Sequence, residues 1–199
     1  PNLNLKPENN ITREIGAGIQ LDGLLTDNDR LQLKGGYFGT DARNYIATRV
    51  DMKRMRSYSY NVSRARIWGW DMQGNYQSDY VDWMLSYNRT ESMDASSREW
   101  LGSGNPDTLI SDISIPVGHR GVYAGWRAEL SASATHVKKG DPHQAGYTIH
   151  SFSLSYKPVS VKGFEASVTL DNAFNKLAMN GKGVPLSGRT VSLYTRYQW

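Results

Sequence analysis

Apolar and polar residues take turns along much of this chain. The last ten residues show it most plainly, with Val191, Leu193, Thr195, Tyr197 and Trp199 interleaved with Thr190, Ser192, Tyr194, Arg196 and Gln198. A period of two places successive side chains on opposite faces of an extended strand, so such a run has one apolar and one polar face. Phe164, Ala166, Val168 and Leu170 stand in the same way against Glu165, Ser167, Thr169 and Asp171. Ile11, Ile15, Ala17, Ile19 and Leu21 oppose Thr12, Glu14, Gly16, Gly18 and Gln20, and Val81, Trp83, Leu85 and Tyr87 oppose Asp82, Met84, Ser86 and Asn88. The pattern predicts about nine strands, at 11–21, 30–41, 59–76, 81–88, 118–126, 128–137, 147–157, 163–174 and 189–199. Parity changes between Ile149 and Phe152, which predicts a bulge there.

The predicted connections alternate in length. Segments 22–29, 77–80, 126–128 and 158–162 are short, whereas 42–58, 89–117, 138–146 and 175–188 are long. Short periplasmic turns opposite long extracellular loops mark bacterial outer-membrane barrels. On that reading the last strand runs downward and Trp199 ends in the periplasm.

A soluble sandwich or lipocalin-like barrel would hide the apolar face in a dry core. Here the opposite face carries Glu14, Lys34, Asp82, Glu165, Asp171 and Arg196, which suits a wet lumen. The apolar face carries Trp68, Trp70, Trp83, Trp126, Trp199 and many tyrosines, the distribution expected of anchors at the two lipid boundaries. No run of about 18 apolar residues occurs, so a helical span is excluded while a barrel is not. The expectation is an all-β, antiparallel transmembrane β-barrel fragment. Nine strands do not close such a wall: an open edge in hydrocarbon leaves backbone groups unpaired, and single-chain bacterial barrels use even strand numbers. Earlier strands are therefore expected ahead of Pro1, where no signal segment is visible.

Composition removes several alternatives. The 199 residues carry a formal charge of +4 with the positive residues scattered among acids, a poor fit to a nucleic-acid partner. The chain has no cysteine, which excludes disulfides, thiolate metal sites and cysteine nucleophiles. No nucleophile elbow, phosphate-cradling glycine loop or metal-ligand cluster is present, so an outer-membrane enzyme lacks its chemistry. Glycines at 16, 18, 35, 36 and 69 fall inside strands, where they admit close approach or a bend.

Four short stretches carry a family resemblance. Asn2-Leu3-Asn4-Leu5-Lys6-Pro7-Glu8 is followed by Glu14-Ile15-Gly16; Asn61 to Asp71 includes Ala65, Ile67 and Gly69 at alternating positions; Leu170-Asp171-Asn172-Ala173-Phe174-Asn175-Lys176 precedes Gly188-Arg189-Thr190 and a terminal aromatic. In this order they resemble the C-terminal barrel of TonB-dependent outer-membrane receptors, with Asp71 in place of the usual Glu and Trp199 in place of Phe. The resemblance implies that residues 1–199 form the last strands of a barrel of about twenty-two, around an N-terminal plug that lies upstream together with the segment that contacts TonB. The stretch from Tyr37 to Tyr87 is most similar to the haemophore-receptor subgroup. That implies haem as transported ligand, a secreted haemophore as partner at the outer loops, and no resident cofactor. A siderophore receptor of the same family and a passive porin-like channel remain the alternatives.

Candidate contact residues lie in the long connections. Arg43, Arg49, Lys53, Arg54 and Arg56 face a single acid, Asp51, and would steer an acidic partner or haem propionates; the bland alternative is contact with anionic lipopolysaccharide, or solvation. Arg98, Trp100 and Leu101 form a second candidate, either a partner anchor or a loop-packing cluster. His119, His136, His143 and His150 are the available imidazoles. His143 alone sits on a clear loop tip, and none has a partner at a recognisable ligand spacing. The resemblance places the haem-ligating histidines upstream, outside this segment.

Overall fold

A computed structural model describes residues 2–51, 54–102, 106–118, 121–141, 143–180 and 184–199, without the side chains of 49–51. It contains nine antiparallel strands: β1 (Asn9–Asp22), β2 (Arg30–Asp51), β3 (Arg56–Gln77), β4 (Asp82–Asp94), β5 (Thr108–Pro116), β6 (Val122–Ser131), β7 (Tyr147–Tyr156), β8 (Phe164–Asp171) and β9 (Thr190–Tyr197). Each pairs with its sequence neighbour in one sheet of order β1 to β9, and β1 and β9 form its two edges. Connections 23–29, 78–81, 117–121 and 157–163 lie at one end, the turn end; 52–55, 95–107, 132–146 and 172–189 lie at the other, the loop end.

Directly paired residues share a face, so the register sorts the two surfaces. Ile15, Tyr37 and Trp70 stand side by side across β1 to β3, and Trp83, Ile113, Trp126, Phe152, Leu170 and Val191 continue one apolar row from β4 to β9. The other surface pairs Glu165 with Arg196, Asp171 with Thr190, Asp82 with Ser114 and Asp71 with Asn88. All six charged residues expected to line the lumen fall on this polar surface. Among the described residues the part of the apolar one between Tyr37 and the turn end is left open: Ile15 and Leu193 are each 74% exposed, and the buried apolar residues are small, Ala42, Ala65 and Ala128 among them. A soluble domain would cover such a surface; a membrane wall leaves it to lipid.

The dimensions agree. From the turn-end Asp29 to the outward-facing Asp41, twelve residues of strand at about 3.4 Å each, tilted by about 40°, rise about 30 Å, the thickness of a bilayer's hydrocarbon core. Rings gather at both limits. Tyr37 and Trp70 (4.8 Å between centroids) and the His150 and Phe174 pair lie toward the loop end. Trp83 and Tyr76, a directly opposed pair, and Trp199 after β9 lie toward the turn end.

Four expectations require correction. The segment 89–117 is not one loop: it holds the end of β4 and the whole of β5. Ser111 on the apolar face and Ile110 on the polar face blur the alternation of β5. The break at 126–128 does not exist, because β6 runs through it and pairs with β7 without interruption. That same register removes the bulge: Tyr147 and Ile149 simply face the lumen, where the Tyr147 hydroxyl reaches Glu129 at 3.5 Å. Residues 42–58 are mostly strand, since β2 and β3 extend as a long hairpin as far as the Asp51–Arg56 pair.

The turn between β1 and β2 is held by one carboxylate. Asp29, 3% exposed, accepts the backbone N–H groups of Leu24 (2.6 Å), Leu25 (2.7 Å) and Thr26 (2.9 Å) and the Tyr76 hydroxyl (2.9 Å). Desolvation pushes its pKa up, but these donors favour the anion more strongly and the net shift is downward.

Candidate functional site: the loop end

The receptor-like motifs have their asparagines at this end of the sheet, and Asn61, Asn172 and Asn175 grip backbone from other parts of the chain. The Asn61 amide donates to the carbonyls of Lys6 (3.0 Å) and Asn44 (2.6 Å), while its oxygen accepts the Lys6 N–H (2.7 Å). Glu8 accepts the N–H of Ile46 at 2.8 Å, so the segment before β1 is fastened along the β2–β3 hairpin. At the far side, Asn172 donates to the carbonyls of Lys176 (2.9 Å) and Ser187 (3.1 Å) and accepts the Lys176 N–H (2.7 Å). The Asn175 oxygen accepts the Arg189 N–H at 3.0 Å. Both asparagines have positive φ, 46° and 52°, a conformation that asparagine tolerates better than other side chains. These motifs therefore shape the wall and its loop roots rather than hold a ligand.

The connections 95–107 and 132–146 fold against the extended part of β2 to β4. Trp100 stacks on His136 (4.0 Å, 7°) and lies 6.0 Å from Trp68. His136 Nδ1 lies 2.9 Å from Glu91, which also pairs with Arg89; Arg89 and the Tyr87 hydroxyl (3.1 Å) both reach Asp107. Lys138 donates to the Thr48 carbonyl at 3.2 Å and sits over the Tyr60 ring. Lys139 approaches Glu99 at 3.7 Å. The loops are thus braced on the hairpin by rings and ion pairs.

The sequence-derived candidates distribute as follows. Trp100 and Leu101 are half-buried and engaged by their own chain, Leu101 through its N–H to the Ser92 carbonyl (2.9 Å). Arg98 is exposed in the turn between them and β4, with φ of 58°. Arg54 and Arg56 are exposed at the hairpin tip; Arg49 belongs to β2 with its side chain outside the description, and Lys53 lies outside the described residues. Arg43 is on β2, paired with Arg64. Among the histidines, His143 is exposed on its loop, His136 is stacked beneath Trp100, and His150 accepts the Trp126 indole N–H at 3.3 Å on the apolar face; His119 lies outside the described residues. The structure brings no two of the described histidines together, and among the described residues no cluster of acids and histidines could hold a metal. What sequence reasoning missed is the clamp role of Asn61, Asn172 and Asn175. Their only signal was membership of the motifs.

Comparison with known proteins places this wall. The model of the TonB dependent receptor-like β-barrel family matches residues 1–175. A hemin receptor of Yersinia pestis is 41% identical over 100% of this chain, and one of Yersinia enterocolitica 39%; the chain covers 29% and 31% of them. Among solved structures, the copper transporter OprC superposes with a TM-score of 0.78 at 20% identity, over 97% of this chain and 32% of its own. The Serratia marcescens hemophore receptor HasR, in complex with its hemophore HasA and heme, superposes with a TM-score of 0.73 at 21% identity, over 100% and 32%. The chain thus spans about a third of the proteins it matches, and these are transport receptors rather than enzymes. It belongs to the TonB-dependent receptor family of outer-membrane proteins, as a part of their β-barrel wall.

Proposed function

We propose that this chain is the C-terminal wall of a receptor that takes up haem across the outer membrane. The carrying observation is the 41% identity to a hemin receptor along its whole length. The loop end faces outward, so the long connections meet ligand, and Trp199 ends at the periplasmic side. A secreted haemophore delivers haem to these loops, with Arg49, Lys53, Arg54 and Arg56 steering association and Arg98 at a second contact; the captured structure of a hemophore receptor with its hemophore and heme supports this mode. Strands and a plug from the rest of the protein close the barrel, because β1 and β9 leave backbone groups that hydrocarbon cannot satisfy. The plug also carries the contact through which TonB supplies energy.

The test uses the full-length receptor in a strain that cannot make haem. Growth on haem or on a haem carrier, abolished by deleting TonB, is expected. Growth on ferric siderophores alone would replace the ligand, and uptake that survives loss of TonB would make the protein a passive channel. Reversing charge at these four cations slows carrier association at low salt and matters less at high salt. Unchanged association at low salt removes the steering role.

A further inference from the structure

The apolar surface does not end abruptly above the Tyr37 and Trp70 rings. The next row toward the loop end is Arg13, Gly39, Trp68 and Glu91; then come Ile11, Asp41, Arg66 and Met93; then Asn9, Arg43 and Arg64. All share the lipid-facing side with Tyr37. Each row adds about 5 Å of height at the usual strand tilt, which sets the guanidiniums about 5 to 15 Å above the rings. That is the depth of the headgroups.

Three of these arginines converge on one carboxylate. Arg13, Arg64 and Arg66 approach Asp41 at 3.6, 3.3 and 3.7 Å, and their side chains are 73%, 54% and 64% exposed. A guanidinium carries five donors and a carboxylate about four acceptor positions, so most of these donors point away from Asp41. With Arg43 the patch holds four cations against one anion; nearby Glu91 is already taken by Arg89 and His136. Gly39 leaves a notch in the middle, bounded by Arg13, Arg66, Asp41, Tyr37 and Trp68. Like charges gathered without compensation repel, and a phosphate in that notch would relieve them with bidentate bonds.

We propose that this outward patch binds the phosphates of lipopolysaccharide, the anionic glycolipid of the outer leaflet, with its sugars against Trp68 and its chains along Ile15 and Tyr37. The inference rests on the outward orientation of the loop end given above. It does not depend on haem.

The test is made on the intact receptor purified in mild detergent. Lipopolysaccharide retained per receptor is measured for wild type, for Arg13→Gln/Arg64→Gln/Arg66→Gln and for Asp41→Asn, with deep-rough lipopolysaccharide, its dephosphorylated form and phosphatidylglycerol vesicles as added probes. The triple variant is expected to retain about tenfold less or lower still, Asp41→Asn at least as much as wild type, and the dephosphorylated form little on any of them. If the triple variant does not fold, single Arg64→Gln and Arg66→Gln substitutions carry the comparison with partial losses. Wild-type retention by a folded triple variant overturns the proposal, as does equal displacement by phosphatidylglycerol. Haem titration of the same samples is scored separately: a receptor that binds no haem yet loses glycolipid on substitution refutes the haem reading alone. Labelling of residue 54 only from the periplasmic side would refute the orientation, and this site with it.

Discussion

Replacing Asn172 should release the connection between β8 and β9 without disturbing the strands themselves. The side chain is 4% exposed and makes three hydrogen bonds, two as donor to the carbonyls of Lys176 and Ser187 and one as acceptor from the Lys176 N–H. Each such bond contributes about 1 kcal/mol net, so truncation to Ala costs about 3 kcal/mol. The backbone φ of 46° adds about 1 kcal/mol for Ala, which tolerates that conformation less well than Asn. A total of about 4 kcal/mol raises the frequency of local opening by roughly 1000-fold.

Amide exchange of Ala173 to Lys176 and Arg189 in the full receptor reads this directly. Asn172→Gly loses the same bonds but not the φ preference, so it should open less often than Asn172→Ala by about fivefold. Asn172→Asp keeps the bond from Lys176 N–H but sets a carboxylate against two carbonyl oxygens, and should be no better than Ala. Protection in Asn172→Ala equal to wild type would refute the clamp. Equal effects of Gly and Ala would refute the conformational part of it.

Three further outcomes follow from other contacts. Asn61→Ala should free the segment before β1, seen as protease cleavage near Leu5 and Lys6 that the native receptor resists; unchanged resistance would show that Glu8 and Asn2 suffice. Gly69→Ala would place a methyl 2.6 Å from the Phe38 ring and closer still to the Arg89 carbonyl, forcing β3 and β4 apart, so lower yield of heat-resistant folded barrel is expected and a wild-type yield would contradict the close approach. Because the folded-state pKa of Asp29 is depressed, its stabilisation is complete above the ordinary carboxylate value and lost as pH falls through the folded one; exchange at Leu24, Leu25 and Thr26 should rise on acidification, and Asp29→Asn should abolish that step.

Much of the wall was legible from alternation alone, because lipid on one side and water on the other impose opposite demands on neighbouring residues. β8 and β9 show that contrast throughout and β1 shows it from Ile15 onward, and their faces were read correctly. β5 did not, since Ser111 faces lipid where the Trp83 indole can donate to its hydroxyl at 3.0 Å, and Ile110 faces inward opposite Glu129. The loop-root clamps were not legible at all. A single asparagine has no periodicity, and its partners, Lys6 for Asn61 and Ser187 for Asn172, lie 55 and 15 residues away.

The mis-set ends of β2 and β3 have the same origin. Alternation reports where a strand crosses lipid, not where hydrogen bonding stops. β2 and β3 are 22 residues each, about twice what crosses a bilayer, and beyond Asp41 both of their faces are wet. Polar residues then suit either side, the period of two vanishes from the sequence, and the strands continue unseen to the hairpin tip. From Asp41 outward, held by backbone pairing and no longer constrained by hydrocarbon, the chain can place Arg64 and Arg66 around Asp41 and brace its loops through Tyr60. The height at which the alternation fails is therefore itself a measurement: it marks the outer boundary of the lipid, and the residues just past it are those free to be selected for what they bind.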